Sequence, residues 1–321
     1  MKKVFIDGHA GTTGLVIREI LIKHGEVEIV EIEEQHRKNI NKKKDLLKNV
    51  DLAVLCLPDD AARETAKEIP QNVKVIDTST AHRTSKGWIY GFPELKNSDC
   101  RQRGKIGNAL RVANPGCHAT GAISIIRPLI TENVVNGDYP FFITSITGYS
   151  GAGKKMIQIY EERDKNDESW VTRPYSLQLK HKHIPEIIAF TMIKNSPIFY
   201  PILGAFKRGM LVSVGLENRL LKKKITAKDI HDIFEKYYDN EKFIKILPFN
   251  DNSVLASAGE IENAYLTATN CNNTNNLEIL IFGNDEQTII FARFDNLGKG
   301  ASGAAIQNLN IMLGFDEKTG L

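Results

Sequence analysis

The amino-acid sequence predicts an α/β fold in which a Rossmann-like parallel-sheet domain is joined to a second domain built on a mainly antiparallel sheet. Three observations lead to this prediction. Short apolar strands alternate with helical segments through the first third of the chain, a glycine turn follows the first strand, and strand-like segments prevail beyond residue 139. Strands separated by helices favour parallel pairing with right-handed crossovers.

The first element is a strand that leads through a glycine turn into a helix. The apolar stretch 2–7 is followed by the turn and then by an amphipathic run over 15–23. Glycines at such a turn permit a tight bend and let the N–H groups of the helix start approach a pyrophosphate. The spacing G-x-x-G-x-x-G differs from the usual G-x-G-x-x-G fingerprint but meets the same needs. We predict a dinucleotide site at Gly8, Gly11, Thr12, Thr13 and Gly14.

Further strands are predicted over 27–32, 51–57 and 73–77. In folds of this kind, an acidic residue at the end of the second strand binds the ribose 2′-hydroxyl, whereas basic residues there accept a 2′-phosphate. This chain has both kinds, namely Glu31, Glu33 and Glu34 beside His36, Arg37 and Lys38. Arg37 and Lys38 favour NADP(H), which is expected to bind non-covalently. The alternative for each of these residues, taken singly, is a solvated surface charge.

Composition indicates a globular enzyme with two domains. The 321 residues are 42% hydrophobic and 25% charged, and the net charge of +3 is too small to indicate nucleic-acid binding. Lysine runs at 42–44 and 222–224 are interpreted as solvated faces. The four cysteines have no CxxC spacing, so neither a disulfide framework nor a metal site is expected. Without a signal peptide or an apolar run of roughly 18 residues, the chain is expected in the cytoplasm, away from membranes.

The pattern changes after residue 117. Strand-like segments follow at 139–147, 209–217, 277–282 and 288–294. The last two flank a hairpin connection, which indicates antiparallel pairing. Thr226 and Asp229 predict a capping box at the start of a helix. A small-residue segment, 296–305, then opens a last helix that runs through Leu313.

These changes predict the domain boundaries. A dinucleotide-binding domain is expected over 1–116 and 297–321, and a catalytic and dimerisation domain over 117–296. An antiparallel sheet with an open face suggests pairing of subunits, so a homodimer or homotetramer is expected.

Cys117 follows a Pro-Gly turn and precedes an apolar run with helical spacing. Its sulfur should therefore lie at the first turn of a helix. Helix N–H groups and the positive end of the helix dipole stabilise a thiolate there, lowering a free-thiol pKa of about 8.5. We predict a nucleophile at this position, the alternative being a small buried apolar residue.

Seven motifs occur in order along nearly the whole chain: Asp7 to Gly14, Asp77 to Thr84, Gly91 to Leu95, Ala113 to Cys117, Gly148 to Lys154, His181 to Glu186 and Lys299 to Asn310. In these motifs the chain resembles the N-acetyl-gamma-glutamyl-phosphate reductases of the shorter type. One position departs from that family, which often has Tyr-Pro after the nucleophile. This chain has His118 and Ala119 there.

The resemblance implies NADPH-dependent reduction of the acyl phosphate of N-acetylglutamate to the semialdehyde, a step of arginine biosynthesis. A thiolate suits this reaction, because its attack expels phosphate and leaves a thioester that accepts hydride readily. The resemblance makes His181 the general acid/base, with His183 as the second choice. An imidazole with a pKa of about 6.5 can both accept and donate a proton near neutral pH.

The remaining site residues are expected from the resemblance and from charge. The resemblance assigns Ser79 and Gly151 to the cofactor and Ser150 and His183 to the substrate. A substrate with a phosphate and a carboxylate requires cations, for which arginine is the best match. The candidates are Arg83, Arg111 and Arg208.

Two other functions stay open on the sequence alone. An aspartate-semialdehyde dehydrogenase would share the fold and the cysteine chemistry, but the motif from His181 to Glu186 disfavours it. A non-catalytic dinucleotide-binding sensor is disfavoured by Cys117 after its Pro-Gly turn.

Overall fold

The structure, a computed structural model, describes residues 1–36, 39–96, 102–162, 164, 170–258 and 261–321. Arg37, Lys38 and Cys100 lie outside the described residues. The chain divides into two compact units, one of residues 1–116 with 301–321 and one of residues 117–300. The chain returns to the first unit at Ala301. The boundary predicted from the sequence was four residues earlier, at Leu297.

The strands of the described ranges are, in chain order, β1 (Lys2–Asp7), β2 (Val27–Val30), β3 (Leu52–Leu55), β4 (Lys74–Asp77), β5 (Ile89–Tyr90), β6 (Arg111–Ala113), β7 (Phe142–Gly148), β8 (Arg173–Pro174), β9 (Ile198–Gly204), β10 (Met210–Glu217), β11 (Ile244–Ile246), β12 (Ala256–Ala258), β13 (Ile261–Tyr265), β14 (Leu277–Gly283) and β15 (Gln287–Phe294).

The α-helices of the same ranges are α1 (Thr12–His24), α2 (Ile40–Leu47), α3 (Asp59–Glu68), α4 (Gln102–Asn108), α5 (Cys117–Thr131), α6 (Lys154–Glu161), α7 (Ile184–Thr191), α8 (Ala227–Tyr237) and α9 (Gly303–Leu313). A short π-helical segment, Gly298–Ser302, precedes α9. Within the described chain, no helix is both long and apolar enough to cross a membrane.

The first unit contains a six-stranded sheet in the order β2-β1-β3-β4-β6-β5, in which every described pair is parallel. Apolar side chains lie on both faces, as a parallel sheet covered by helices requires. Ile17 of α1 and Leu309 of α9 pack on one face, and Leu47 of α2 packs on the other. The predicted Rossmann-like sheet is confirmed.

The second unit contains a seven-stranded sheet in the order β11-β14-β15-β10-β7-β9-β8. Four of its pairs are antiparallel, as predicted, while β7 with β9 and β11 with β14 are parallel. A parallel pair cannot be joined by a hairpin, because the chain must return to the starting edge before the second strand begins. The connection from β7 to β9 therefore runs over residues 149–197 and contains α6, β8 and α7.

The central helix of the second unit, α5, is buried from His118 to Leu129 although it contains a proline. Pro128 has no N–H to donate to the Ser124 carbonyl one turn earlier. The Tyr238 hydroxyl, just beyond α8, donates to that carbonyl at 2.8 Å. A tertiary hydrogen bond thus replaces the missing helical one.

Helix α8 begins as the sequence predicted. The Thr226 hydroxyl accepts the Asp229 N–H at 3.2 Å, and the Asp229 carboxylate accepts the Thr226 N–H at 2.7 Å. This capping box satisfies two N–H groups at the helix start. Ile230 and Phe234 on the inner face are fully buried.

Tyr238→Phe should destabilise the protein by about 1–2 kcal/mol, because it leaves the buried Ser124 carbonyl without its donor. In a Pro128→Ala background, which restores the helical N–H, the same substitution should cost much less. Urea unfolding of the four proteins gives the coupling energy. Equal costs in the two backgrounds would contradict this account of the proline.

Candidate active site

The Cys117 thiol stands at the first residue of α5 and is partly exposed. The π-helical segment lies directly against it, since a Cβ built on Gly300 would come within 3.0 Å of the Cys117 Cβ. A larger residue at position 300 would therefore clash with the Cys117 side chain. The position of Cys117 at the helix start agrees with the prediction from the Pro-Gly turn.

The other described cysteines have different surroundings. Burial raises the pKa of the Cys56 thiol to about 12, and burial followed by the charge of Glu278 raises the pKa of Cys271 to about 12. Both thiols are therefore un-ionised near neutral pH. A protonated thiol is a poor nucleophile, which leaves Cys117 as the candidate among the three.

Three imidazole rings cluster beside Cys117. The His118 ring centroid is 5.2 Å from that of His181 and 5.4 Å from that of His183, and the last two are 4.9 Å apart. Phe199 of β9 lies edge-on to His118 and His181. The structure therefore brings the predicted His181 and His183 together with the helix start.

His181 is a neutral imidazole near pH 7. Burial, followed by the positive charge of Lys182, lowers its pKa to about 4. Its Nδ1 accepts the backbone N–H of His183 at 3.2 Å. Because a backbone N–H only donates, the ring hydrogen of neutral His181 resides on Nε2.

His118 is buried and bonded at both ring nitrogens. Nδ1 is 2.7 Å from the Ser145 hydroxyl, and Nε2 is 2.8 Å from the Tyr175 hydroxyl. Burial, with smaller contributions from the charges of His181 and Lys182, holds the pKa of His118 well below its usual range. This ring is neutral and oriented by its two partners.

One thiol and two imidazoles lie close enough to bind a metal ion. The donor atoms of Cys117, His118 and His183 are all within 4.8 Å of one another. A thiophilic ion such as Zn²⁺ would take His118 only at the expense of one of its two hydrogen bonds. No metal site was predicted from the sequence.

A buried carboxylate, that of Asp295, lies in the segment that leads to Gly300. Asp295 is fully buried and pairs with Arg208, the shortest N···O distance being 2.7 Å. Arg208 also donates to the side-chain oxygen of Asn273 at 2.8 Å. The guanidinium thus has two partners within the protein, and the role of Arg208 as a substrate anchor stays a prediction.

Ser150 and Gly151 lie in a short 3-10 helix that follows β7. The Ser150 hydroxyl accepts the Asn296 side-chain N–H at 2.9 Å and is buried. A Cβ on Gly151 would lie 3.2 Å from the same nitrogen. Asn296 in turn accepts the Gly209 N–H at 2.9 Å. These contacts fix the segment that the resemblance assigned to ligand binding.

The glycine turn of the first unit has the geometry of an anion-binding loop. Gly8 has φ +89°, and a Cβ there would lie 2.3 Å from the Cys56 carbonyl oxygen. Gly11 caps α1 in extended conformation and offers no side chain to its N–H groups. Helix N–H groups without a side-chain cap and the positive dipole end suit a pyrophosphate.

A cavity of about 700 Å³ adjoins this loop at the carboxyl ends of β1, β2 and β3. Its wall includes Gly8, Ile32, Leu57 and a buried ion pair in which Lys43 Nζ lies 2.6 Å from Asp7 Oδ2. Ligands of open α/β sheets bind at this edge. The interpretation of residues 42–44 as a solvated face is therefore wrong for Lys43, whose charge is neutralised by Asp7.

Ser79 and Arg83 follow β4 at the same edge of the sheet. The Ser79 hydroxyl donates to Asp77 at 2.8 Å, and the same carboxylate contacts His82 Nδ1 at 2.6 Å. Arg83 donates to the carbonyls of Asn114 and Thr78. Ser79 and Arg83 are both buried, and Arg83 holds the loop that precedes Cys117 in sequence through the Asn114 carbonyl.

Arg111 does not lie where a substrate ligand is needed. It is the first residue of β6, at the amino edge of the parallel sheet, and its guanidinium donates to backbone carbonyls including that of Val73 at 2.7 Å. Active sites of such sheets form at the opposite, carboxyl edge. The placement of Arg111 therefore does not support its predicted role as a substrate ligand, which stays a prediction.

Sequence reasoning missed several contributors to the site. His118 was noticed only as a departure from the related family, Lys43 only as one of a run of three lysines, and Ser145 and Tyr175 were not singled out. A polar residue such as Ser145 in an apolar strand is a signal of a buried partner. Tyr175 and Lys43 had no such signal, because only tertiary contacts give them partners.

The comparisons with known proteins agree with both units. The family model described as "Semialdehyde dehydrogenase, NAD binding domain" matches residues 3–103, and "Semialdehyde dehydrogenase, dimerisation domain" matches residues 117–296. A solved aspartate semialdehyde dehydrogenase from Francisella tularensis superposes with a TM-score of 0.69 at 16% identity, covering 98% of this chain and 100% of its own. That likeness concerns the fold alone.

Curated relatives are much closer in sequence. N-acetyl-gamma-glutamyl-phosphate reductase 2 of a Nostoc species is 44% identical over 326 residues, with 99% of each chain covered. The N-acetyl-gamma-glutamyl-phosphate reductase of Rhizobium etli is 40% identical over 318 residues, covering 97% of this chain and 98% of its own. The fold and the helix-start thiol thus define the class as the semialdehyde dehydrogenase family. Within that class, the chain belongs to the N-acetyl-gamma-glutamyl-phosphate reductases.

Gly8→Ala should abolish dinucleotide binding, because the new Cβ meets the Cys56 carbonyl and distorts the loop. Gly87→Ala is the matched control, since Gly87 also has positive φ, +87°, but open space around it. Both share the strain of about 1 kcal/mol or more that alanine incurs there. Titration of NADPH fluorescence measures binding, and similar losses in both variants would refute the proposed role of the loop.

Proposed function

We propose that this protein reduces N-acetyl-L-glutamyl 5-phosphate to N-acetyl-L-glutamate 5-semialdehyde and phosphate with NADPH, a step of arginine biosynthesis. The observation that carries the proposal is the Cys117 thiol at the start of α5 beside the clustered rings of His118, His181 and His183. The family of the chain and the names of its relatives support the substrate.

The thiolate of Cys117 attacks the acyl carbon and expels phosphate, which leaves a thioester on the enzyme. Splitting the reaction in this way replaces one difficult step by two easier ones. When bound, reduced nicotinamide supplies the hydride that converts the thioester carbonyl to the aldehyde. Release of the aldehyde returns the sulfur of Cys117 as a thiolate.

His181 manages charge and protons at the acyl oxygen. Its ring is neutral, and the hydrogen on Nε2 is available to donate as negative charge develops on that oxygen. Donors aimed at developing charge lower the barrier most in a buried site. His183 holds the opposite nitrogen of His181 through its N–H and lines the substrate site. Ser150 serves the substrate and Gly151 and Ser79 the cofactor, as the resemblance implies.

Residues of the first unit would hold the cofactor. The loop at Gly8, Gly11, Thr12, Thr13 and Gly14 receives the pyrophosphate, and the adjoining cavity receives the adenosine end. Preference for NADP(H) follows from Arg37 and Lys38, two cations after β2. Arg83 remains a candidate for the substrate, although its known contacts are structural.

The second unit pairs with a second copy of the chain through the face of its sheet that points away from α5. Phe142, Ile198 and Ile289 project from this face and are 50%, 51% and 39% exposed. Apolar patches of this kind mark association surfaces. Phe142→Asp should shift the protein toward a monomer in sedimentation velocity, whereas Leu177→Asp, an exposed apolar position outside the sheet, should not.

Cys117→Ser should lower reduction of N-acetylglutamyl phosphate to near background, since a hydroxyl is essentially un-ionised near neutral pH. Cys271→Ser is the matched control and should retain activity. The assay follows phosphate-dependent NADP⁺ reduction with N-acetylglutamate semialdehyde, and running it with NAD⁺ measures cofactor preference. Mixing enzyme with acyl phosphate alone should leave a mass adduct on the peptide that carries Cys117.

Three results would count against the proposal. Activity with aspartate semialdehyde instead of the N-acetylated substrate would make the protein an aspartate-semialdehyde dehydrogenase. Dinucleotide binding without reduction of either substrate would support a sensor. An adduct on Cys56 or Cys271 would overturn the assignment of the nucleophile.

A further inference from the structure

The buried ion pair of Asp7 and Lys43 lies in the wall of the cavity beside the glycine turn, and the proposed reaction gives it no role. Lys43 Nζ donates to both carboxylate oxygens of Asp7, at 2.8 and 2.6 Å. Asp7 is 4% exposed and Lys43 is 9% exposed. Taking two charges out of water is costly, and an apolar pair of similar size is often at least as stable. Stability alone therefore does not explain the pair.

The helix that carries Lys43 would accept an apolar residue at this position. Lys43 and Leu47 are the two buried residues among the described side chains of α2, and they are four positions apart, on one face. Leu47 belongs to the same apolar cluster as Phe5 and Leu55. A leucine at position 43 would extend that apolar face, whereas the lysine carries an ammonium group to the end of β1.

Lys43 is also the cation of the cavity wall. Among the described residues that line the cavity it is the one lysine or arginine, beside the carboxylates of Asp7, Glu64 and Glu68. Glu68 pairs with Lys44, the shortest N···O distance being 2.6 Å. An anionic ligand that enters the cavity is therefore attracted by Lys43 and repelled by the carboxylates.

The ammonium group of Lys43 keeps one hydrogen for a ligand. An ammonium group has three N–H donors, and the Asp7 oxygens accept from two of them. Within the ranges that the structure describes, the Asp7 carboxylate is the one acceptor that contacts Lys43 Nζ. Asp7 is the last residue of β1 and Gly8 follows it, so Nζ is held where the cavity meets the glycine turn. The third N–H is available to an oxygen in the cavity.

We propose that Lys43 binds the pyrophosphate of the cofactor through this third N–H, and that Asp7 positions the ammonium group while offsetting part of its attraction. The inference rests on the proposed binding of NADP(H) at the glycine turn and the adjoining cavity. Lys43 touches the ligand, whereas Asp7 acts through Lys43. The pyrophosphate is the partner rather than a 2′-phosphate, because Asp7 holds Nζ at the end of β1, and such folds read the ribose at the end of β2. A hydrogen bond between two charged groups is stronger than a neutral one.

The test is the binding of three ligands without nicotinamide to the full-length protein. Calorimetry measures ADP-ribose and 2′-phospho-ADP-ribose, and ligand-observed NMR measures the weaker ligand adenosine. Lys43→Met should weaken both phosphorylated ligands by the same factor, about 10- to 100-fold, and leave adenosine unchanged. Lys48→Met is the matched control, since it removes the same charge from an exposed lysine at the end of α2, and it should change none of the three affinities.

Asp7→Asn should have the opposite effect. It keeps an oxygen that accepts from Lys43 but removes a negative charge beside the ligand, so ADP-ribose should bind about 3- to 10-fold more tightly. The double variant Asp7→Asn with Lys43→Met should bind ADP-ribose more weakly than the wild type and more tightly than Lys43→Met. Thermal unfolding identifies a misfolded Lys43→Met, in which Asp7 is left unpaired, and the double variant, which has no such charge, then decides.

Three results would overturn the inference while leaving the proposed function intact. They are wild-type affinity for ADP-ribose in Lys43→Met, an equal loss of adenosine and ADP-ribose, and a loss confined to the 2′-phosphorylated ligand. Weaker binding of ADP-ribose by Asp7→Asn would contradict the role given to Asp7. A wild-type protein that binds neither phosphorylated ligand would overturn the proposed cofactor as well, so the two failures are distinguishable.

Discussion

The second unit depends on the burial of one carboxylate, that of Asp295. An ionised carboxylate removed from water is stable only when it is paired and hydrogen-bonded. Arg208 supplies the pair, and the backbone N–H groups of Asn273 and Leu297 donate to the same side chain at 2.7 and 2.9 Å. The Asp295 carbonyl also accepts the Gly300 N–H at 3.0 Å. This set of contacts fixes the segment that places Asn296 against Ser150 and Gly300 against Cys117, so the position of the nucleophile follows from satisfying one buried charge.

Exclusion of water from the imidazole cluster fixes the protonation state of its rings. Burial disfavours the charged form of a histidine, so His118 and His181 are neutral and each presents one donor and one acceptor. Neutral rings with fixed hydrogens act as directed donors, which a freely titrating surface histidine cannot do. The same burial keeps Cys56 and Cys271 protonated. One physical effect thus keeps two of the described thiols un-ionised and both of these imidazoles neutral.

Local patterns in the sequence predicted much of both units, and the failures have a common cause. The glycine turn, the parallel strands of the first unit, the capping box at Thr226 and the β14–β15 hairpin each depend on neighbouring residues, and all were found. Arg111 and Arg208 were expected to bind substrate because arginine suits phosphate, and the structure shows a second use for each, since Arg111 donates to the Val73 carbonyl and Arg208 pairs with Asp295. Lys43 looked like one of three solvated lysines, yet it reaches Asp7, 36 positions away in sequence. The identity of a charged residue does not reveal its partner.

The sequence by itself determined the local position of each reactive group. The thiol follows a Pro-Gly turn, the glycines follow β1, and the pair of histidines precedes α7. These features are short-range, because turns, caps and helix starts are set by residues within a few positions of one another. Tertiary structure alone decided which of them meet. The parallel pairing of β7 with β9 forces the chain to cross over the sheet, and that crossover carries Tyr175, His181 and His183 to the start of α5. Strand direction is a property of the whole sheet, so no local pattern around those residues could specify it.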